Sequence, residues 1–123
     1  NASDMERQPG FRLSKSFLHR MIQAVVYGDA LMQCVLATRP YEQVAGAANE
    51  LCDKWVQKLR ANITKASLRQ YGNYLKEIIH DFDTLPMVKD TQKPRVGVVG
   101  EIYVKFHPSA NNHINELIEK EGG

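Results

Sequence analysis

The polar residues best suited to chemistry lie close together near the end of the chain. Glu101, Lys105 and His107 alternate with apolar residues, and Asn111 and Asn112 follow after a short turn. Lysine and histidine can donate charge-assisted hydrogen bonds to a phosphate or a carboxylate. The free N–H groups at the start of a helix would add to the attraction. The spacing therefore predicts a ligand-binding site made of these five residues, in which Lys105, His107 and the helix start at Asn111 and Asn112 would bind an anion.

The same residues also fit structural roles. Ser109 or Asn111 can cap the helix that follows, and Pro108 can shape the turn. Glu101 is either a catalytic carboxylate or one partner of a salt bridge, and the salt bridge is favoured because an unpaired carboxylate within a strand is costly. Gly100 before it could mark a β-bulge. The sequence therefore identifies no catalytic residue.

The histidine and glycine spacings in this region match no usual metal or dinucleotide signature. His107 and His113 are six residues apart across a turn, which matches no usual spacing of metal ligands. The GVVGE sequence ending at Glu101 lacks the G-x-G-x-x-G pattern.

Cys34 and Cys52 fall within apolar helical stripes, where a free thiol behaves as a small hydrophobic group, and a disulfide or metal role is the alternative. We expect no metal and no cofactor in this chain.

A strand, a loop and a helix are required to position these residues. From Arg95 to Phe106 the chain is rich in β-branched and aromatic residues, a pattern typical of a buried parallel strand. Beyond the turn, apolar residues recur at helical spacing, and the Gly122–Gly123 pair supplies a stop. Ligands of open α/β sheets bind at the carboxyl ends of strands, here Tyr103 to His107. The pattern predicts the first βα unit of a doubly wound domain.

A single buried strand would leave its backbone hydrogen-bonding groups unpaired. We therefore expect its partner strands to lie in sequence beyond Gly123, so that the chain is an internal piece of a larger protein. The exposed strand also predicts a homo-oligomer, because an unpaired edge is a template for pairing with another chain.

Three amphipathic helices are predicted ahead of the strand. They run from Ser14 to just before Pro40, from Val44 to Asn62, and from a Thr64 or Ser67 cap to about Phe82. Short connections favour antiparallel packing. Gly28 predicts a close helix crossing or a helix break, and Trp55 predicts a core anchor. The predicted fold class is mostly α, a three-helix antiparallel bundle followed by one truncated strand–helix unit.

The expected organisation has three parts. Residues 1–13 form a disordered or extended tail in which Asn1 and Ala2 look like a tag remnant, residues 14–92 form a helical subdomain, and residues 93–123 form the βα unit.

With 43% hydrophobic and 24% charged residues the chain is ordinary for a soluble globular protein. A net charge of +2 argues against nucleic acid or a membrane as partner. A cytoplasmic location is expected, since the thiols would stay reduced there.

Three stretches of the chain carry a family resemblance. They are ATRPYE at Ala37–Glu42, IIHDFDTLP at Ile78–Pro86 and RVGVVGEIYVKFHPSANN at Arg95–Asn112, of which GEIYVKFHP is the most specific. Together these stretches resemble the acyl-CoA dehydratase activase-related proteins, bacterial relatives of the 2-hydroxyacyl-CoA dehydratases and their ATP-dependent activators. The resemblance implies a dehydratase-like module beside an activator-type ATPase module. A CoA thioester ligand, and ATP and a 4Fe–4S cluster in the parent protein, are further implications.

The chain departs from the family in two respects. It has no acidic-Gly-Thr phosphate loop of the activator ATPase, and no cysteine spaced as a cluster ligand of the dehydratase subunits. We therefore expect a non-catalytic part of a system that acts on acyl-CoA thioesters through ATP-driven, low-potential electron transfer. A helical module that docks a dehydratase-like domain to its activator is an alternative, as is a phosphate- or nucleotide-binding βα unit. The substrate is not specified by the sequence.

Overall fold

Three long helices make up the first part of the structure, a computed structural model that describes residues 14–63, 65, 67–88 and 92–122. Helix α1 spans Lys15–Thr38 and begins where the Ser14 side chain accepts a hydrogen bond from the Phe17 N–H at 3.1 Å. It ends in a 3-10 turn at Arg39–Tyr41, as the proline at position 40 predicts. The helix is continuous through Gly28, so the expected helix break is wrong. Among the described residues, no atom outside the helix lies within 4 Å of a Cβ built at Gly28, so none of them makes the predicted close crossing.

Helices α2 and α3 pack against α1. Helix α2 spans Ala47–Asn62, three residues shorter than predicted at its start, because Gly46 adopts a left-handed conformation with φ of 89°. Helix α3 spans Leu68–Asp83 and is capped by Ser67, whose hydroxyl accepts the Gln70 N–H at 3.3 Å. Ser67 was one of two predicted caps, and the other, Thr64, lies outside the described residues.

The hydrophobic core is formed where these three helices meet. Trp55 is 3% exposed, which confirms it as a core anchor, and its indole N–H donates to Asp81 Oδ2 at 3.0 Å. A buried Trp commonly keeps such a partner because its N–H is lost to water. The remaining buried apolar residues are Tyr27, Leu31, Val35, Ala48, Leu59, Tyr74, Ile78 and Phe82. The prediction of a mostly α chain is confirmed.

The segment predicted as a strand adopts a different structure. Residues 92–99 have no regular secondary structure and no ladder partner among the described residues, and Ile102–Phe106 form a short helix, α4. A lone strand cannot satisfy its own backbone, whereas a helix does so locally. Here the Lys105 N–H donates to the Glu101 carbonyl at 2.8 Å, and the His107 N–H to the Tyr103 carbonyl at 3.1 Å. Within this chain the strand of the predicted βα unit is therefore not formed.

A final short helix, α5, spans Ile114–Lys120. It follows a turn in which Asn112 and His113 are both left-handed, with φ of 54° and 53°. Gly122 has φ of 96° just beyond the helix, in agreement with the predicted glycine stop. The other glycine of that pair and the predicted tail at residues 1–13 lie outside the described residues.

Candidate ligand groove

A groove of about 790 Å³ separates the end of α1 from the C-terminal segment. Its walls come from α1, the 3-10 turn, residues 93–98 and helix α5, and Lys105 of α4 also lines it. The lining combines three cationic side chains with apolar ones. The cations are Lys93, Arg95 and Lys105, and the apolar residues include Met32, Leu36, Val96, Val98 and Ile118.

Such a lining is suited to an amphipathic anion. Cationic side chains can bind phosphate or carboxylate oxygens, while the apolar wall can cover a hydrocarbon group. Arg95 and Val96 are exposed, and Lys93 and Lys105 are half-buried, so the cationic surface is open to solvent. Two acidic residues, Asp29 and Glu119, also line the groove. Each of these carboxylates has a hydrogen-bonding partner of its own within the protein.

Glu119, which lines the groove, forms an ion pair with Arg39 at the end of α1. Arg39 Nε donates to both Glu119 oxygens, at 2.9 and 2.7 Å, and Arg39 Nη2 donates to Oε1 at 2.7 Å. The two side chains are 20% and 19% exposed. Hydrogen bonding to Glu119 raises the pKa of Arg39 further above its ordinary value, so the guanidinium is charged at any physiological pH. This contact fixes α5 against the end of α1.

Tyr41 and Glu42, which follow Pro40, also form hydrogen bonds to other segments of the chain. The Tyr41 hydroxyl accepts the Lys93 N–H at 3.2 Å, and the Tyr41 carbonyl accepts the Val88 N–H at 2.8 Å. The Glu42 carboxylate accepts two N–H groups at the start of α2, from Gly46 at 2.6 Å and Ala48 at 2.9 Å. The stretch Ala37–Glu42, one of the three that carry the family resemblance, therefore connects α1, α2 and the C-terminal segment.

Of the five predicted site residues, Lys105 alone lines the groove. Glu101 caps α4, and its Oε2 accepts the Val104 N–H at 3.2 Å. This role differs from both the salt bridge and the catalytic carboxylate considered for it. His107 lies at the end of α4 and stacks on Tyr103, with ring centroids 5.1 Å apart.

The two asparagines belong to the turn before α5. Asn111 Nδ2 donates to the Lys105 carbonyl at 2.8 Å, and Asn111 Oδ1 accepts the Ile114 N–H at 3.4 Å. Asn111 therefore accepts the first N–H of α5, whereas the N-cap position itself is His113, whose side chain makes no capping hydrogen bond. Asn112 is exposed in its left-handed conformation. Helix α5, which begins two residues after Asn112, has only seven residues.

Cys34 and Cys52 are free thiols, half-buried beside the core. Burial raises the pKa of each thiol, so both are poor nucleophiles near neutral pH. Within the described part of the chain, no three His, Cys, Asp or Glu side chains are grouped closely enough to hold a metal ion.

The sequence did not single out four residues that shape this groove: Arg39, Tyr41, Glu119 and Lys93. Arg39 and Tyr41 lie in the ATRPYE stretch, to which the sequence analysis assigned no site residue. Glu119 is separated from Arg39 by eighty residues, and no local spacing could have paired the two.

Helix α1 with the 3-10 turn, Lys15–Tyr41, is long and apolar enough to span a membrane by length and composition alone. This is a weak indication, because core helices of soluble proteins and signal sequences meet the same criterion. Comparisons of the chain with protein-family profiles, with curated proteins and with solved structures find no match.

Proposed function

We propose that this chain is a non-catalytic, acyl-CoA-binding module of a 2-hydroxyacyl-CoA dehydratase and activator system. The observation that carries the proposal is the groove, in which Lys93, Arg95 and Lys105 lie beside an apolar wall. A CoA thioester presents the matching chemistry, because it joins several phosphates to a hydrocarbon acyl group. The resemblance of three stretches to the acyl-CoA dehydratase activase-related proteins supports the same ligand class.

Within that system the chain binds and orients, and the redox chemistry belongs to other modules. ATP and a 4Fe–4S cluster would act in the parent protein. Two separate cysteines with raised pKa values cannot supply the usual four thiolate ligands of such a cluster. In a longer parent protein, the three helices would form an antiparallel bundle and residues 93–123 the first βα unit of the following domain. We assign the system to the cytoplasm, with no nucleic acid or membrane as partner.

Calorimetric titration with acetyl-CoA, with free CoA and with a longer-chain acyl-CoA tests the groove. Arg95→Ala and Lys105→Ala should each weaken CoA binding by roughly 1.5–3 kcal/mol, or about 10- to 150-fold, the usual range for one charge-assisted contact. Matched controls are Arg60→Ala and Lys54→Ala, which remove the same charge from exposed positions of α2. Equal effects in groove and control variants would reduce the binding to nonspecific electrostatics. No binding by the wild type would contradict the proposal.

A second candidate function is docking to the activator-type ATPase module. It is favoured by large apolar side chains that remain exposed in and around α4, including Val99 at 91% and Ile102 at 74%. Co-purification of the chain with the ATPase, compared between wild type and Val99→Glu, tests this function. Loss of the complex in the variant, with CoA binding retained, would separate docking from ligand binding.

A further inference from the structure

Helix α1 is apolar on two opposite faces. Gln23, Tyr27, Leu31 and Val35 are buried against α2 and α3. On the opposite side a second row of residues recurs at alternating three- and four-residue steps and faces solvent. This outer row consists of Lys15, Leu18, Ile22, Val25, Asp29, Met32 and Leu36.

The apolar members of the outer row are well exposed. Val25 is 70% exposed, Ile22 56% and Leu18 51%. Alternating three- and four-residue steps define the seam of a coiled coil, whose residues interdigitate with those of a facing helix. Gly28 lies beside the row with open space above it, so a facing helix can approach there. A helix that is apolar all round is normally covered on every side.

We infer that the outer row of α1 is the interface of a homodimer, in which α1 packs antiparallel against α1 of a second copy. The two charges in the row determine the direction. Parallel pairing would place Asp29 against Asp29 and Lys15 against Lys15, and both contacts are repulsive. Antiparallel pairing instead brings opposite charges together.

The antiparallel register follows from the same row. With Ile22 opposite Val25 of the second copy, Leu18 lies opposite Asp29 and Lys15 opposite Met32. Lys15 is then one helical turn from Asp29 of the second copy, within reach of its long side chain. The two-fold axis produces this ion pair twice, and the apolar centre is formed by Leu18, Ile22 and Val25 from both copies.

A membrane surface fits this face less well. Asp29 lies within the apolar row and is exposed, and its carboxylate accepts a hydrogen bond from Gln33 at 2.8 Å. A carboxylate at this position would be costly in a hydrocarbon layer. At a protein interface, the same charge selects register and direction.

Light scattering after size exclusion, at tens of micromolar protein, tests the inference. The wild type should be a dimer, Val25→Glu a monomer, and the matched control Val99→Glu, at a 91% exposed position, a dimer. A wild-type monomer would overturn the inference. A dimer that is lost in Val99→Glu but kept in Val25→Glu would also overturn it, because the interface would then be the segment around Val99.

Reversing the charges of Lys15 and Asp29 tests the antiparallel register without changing any apolar residue. Lys15→Glu should raise the dimer dissociation constant by about tenfold, since two attractive pairs become repulsive. The double variant Lys15→Glu with Asp29→Lys should restore the wild-type value, and failure to restore it would contradict the register. Flotation with vesicles of phosphatidylcholine and phosphatidylserine completes the test. A monomer that binds them, and loses binding in Val25→Glu, would assign the face to a membrane surface.

Discussion

Arg39 and Glu119 form the contact that joins the end of the chain to the long helices. The pair is doubly hydrogen-bonded and about 80% buried on each side, a geometry in which ion pairs are stronger than typical surface pairs. Its two residues belong to segments that share no local sequence pattern. The position of α5 therefore depends strongly on this one interaction.

Arg39→Ala should destabilise the chain by about 1–3 kcal/mol, because the Glu119 carboxylate would be left half-buried without its partner. Urea denaturation of Arg39→Ala, Glu119→Gln and the double variant would measure the coupling. The single losses should sum to more than the loss in the double variant. Additive losses would mean that the two residues do not interact in solution.

Tyr27 makes a pH-dependent contribution to the stability of the folded state. Burial, and then repulsion from Tyr71 and Tyr74, raise the pKa of Tyr27 to about 12, and its hydroxyl donates to the Tyr71 carbonyl at 3.3 Å. The folded state therefore holds this proton more tightly than the unfolded state. The resulting stabilisation is complete below about pH 10 and is lost as the pH rises towards 12.

Denaturation curves of the wild type between pH 9 and pH 12 should show this loss, and Tyr27→Phe should lack that part of it. The variant removes this one hydroxyl and keeps every other tyrosine, so the difference between the two curves measures the contribution of Tyr27. Identical pH profiles would show that the hydroxyl keeps its ordinary pKa in the folded protein.

Among the elements, α2 has an unusual start. Gly46 offers no side-chain cap, and the carboxylate of Glu42, four residues earlier, accepts the N–H groups of Gly46 and Ala48. One side chain thus satisfies two of the backbone donors that a helix leaves unpaired at its N-terminus. The negative charge also interacts favourably with the helix dipole.

Glu42→Ala should cost about 1–2 kcal/mol of folding free energy. Glu50→Ala is the matched control, because it removes an exposed carboxylate from the first turn of the same helix without removing a cap. Thermal denaturation followed by circular dichroism would compare the two. Equal shifts would assign the whole effect to charge and none to the hydrogen bonds.

The long helices were predictable because their signals are local. Ser67, the apolar periodicity and Pro40 each act within a few residues of the boundary they set. The start of α2 was missed because its cap comes from Glu42, outside the helix. The stretch 94–106 misled because β-branched composition signals a strand only when a neighbouring strand is present to pair with it. The groove was found only in part, through Lys105, since its other walls come from distant segments.

At the scale of the whole molecule, stability is unevenly distributed. The core residues all belong to α1, α2 and α3, whereas α4 and α5 contribute no fully buried side chain among those described. Segments with few buried apolar contacts open at lower free energy than the core. The C-terminal segment should therefore open without unfolding the long helices.

Hydrogen exchange should show this difference. Amides of α5 are expected to exchange through low-energy openings, while those around Tyr74, Ile78 and Phe82 exchange only on global unfolding. Arg39→Ala should accelerate exchange in α5 and, after correction for global stability, leave α3 unchanged. Equal protection in α3 and α5 would mean that the chain unfolds as a single unit.

Asp29, Met32 and Leu36 belong both to the groove and to the outer row of α1. If these surfaces bind as proposed, each occupant takes up part of the same patch, so self-association and ligand binding exclude one another. Such competition is reciprocal: the factor by which acyl-CoA weakens the dimer equals the factor by which dimerisation weakens acyl-CoA binding. The apparent affinity for CoA would then fall as protein concentration rises, and the chain would respond to its own abundance as well as to its ligand.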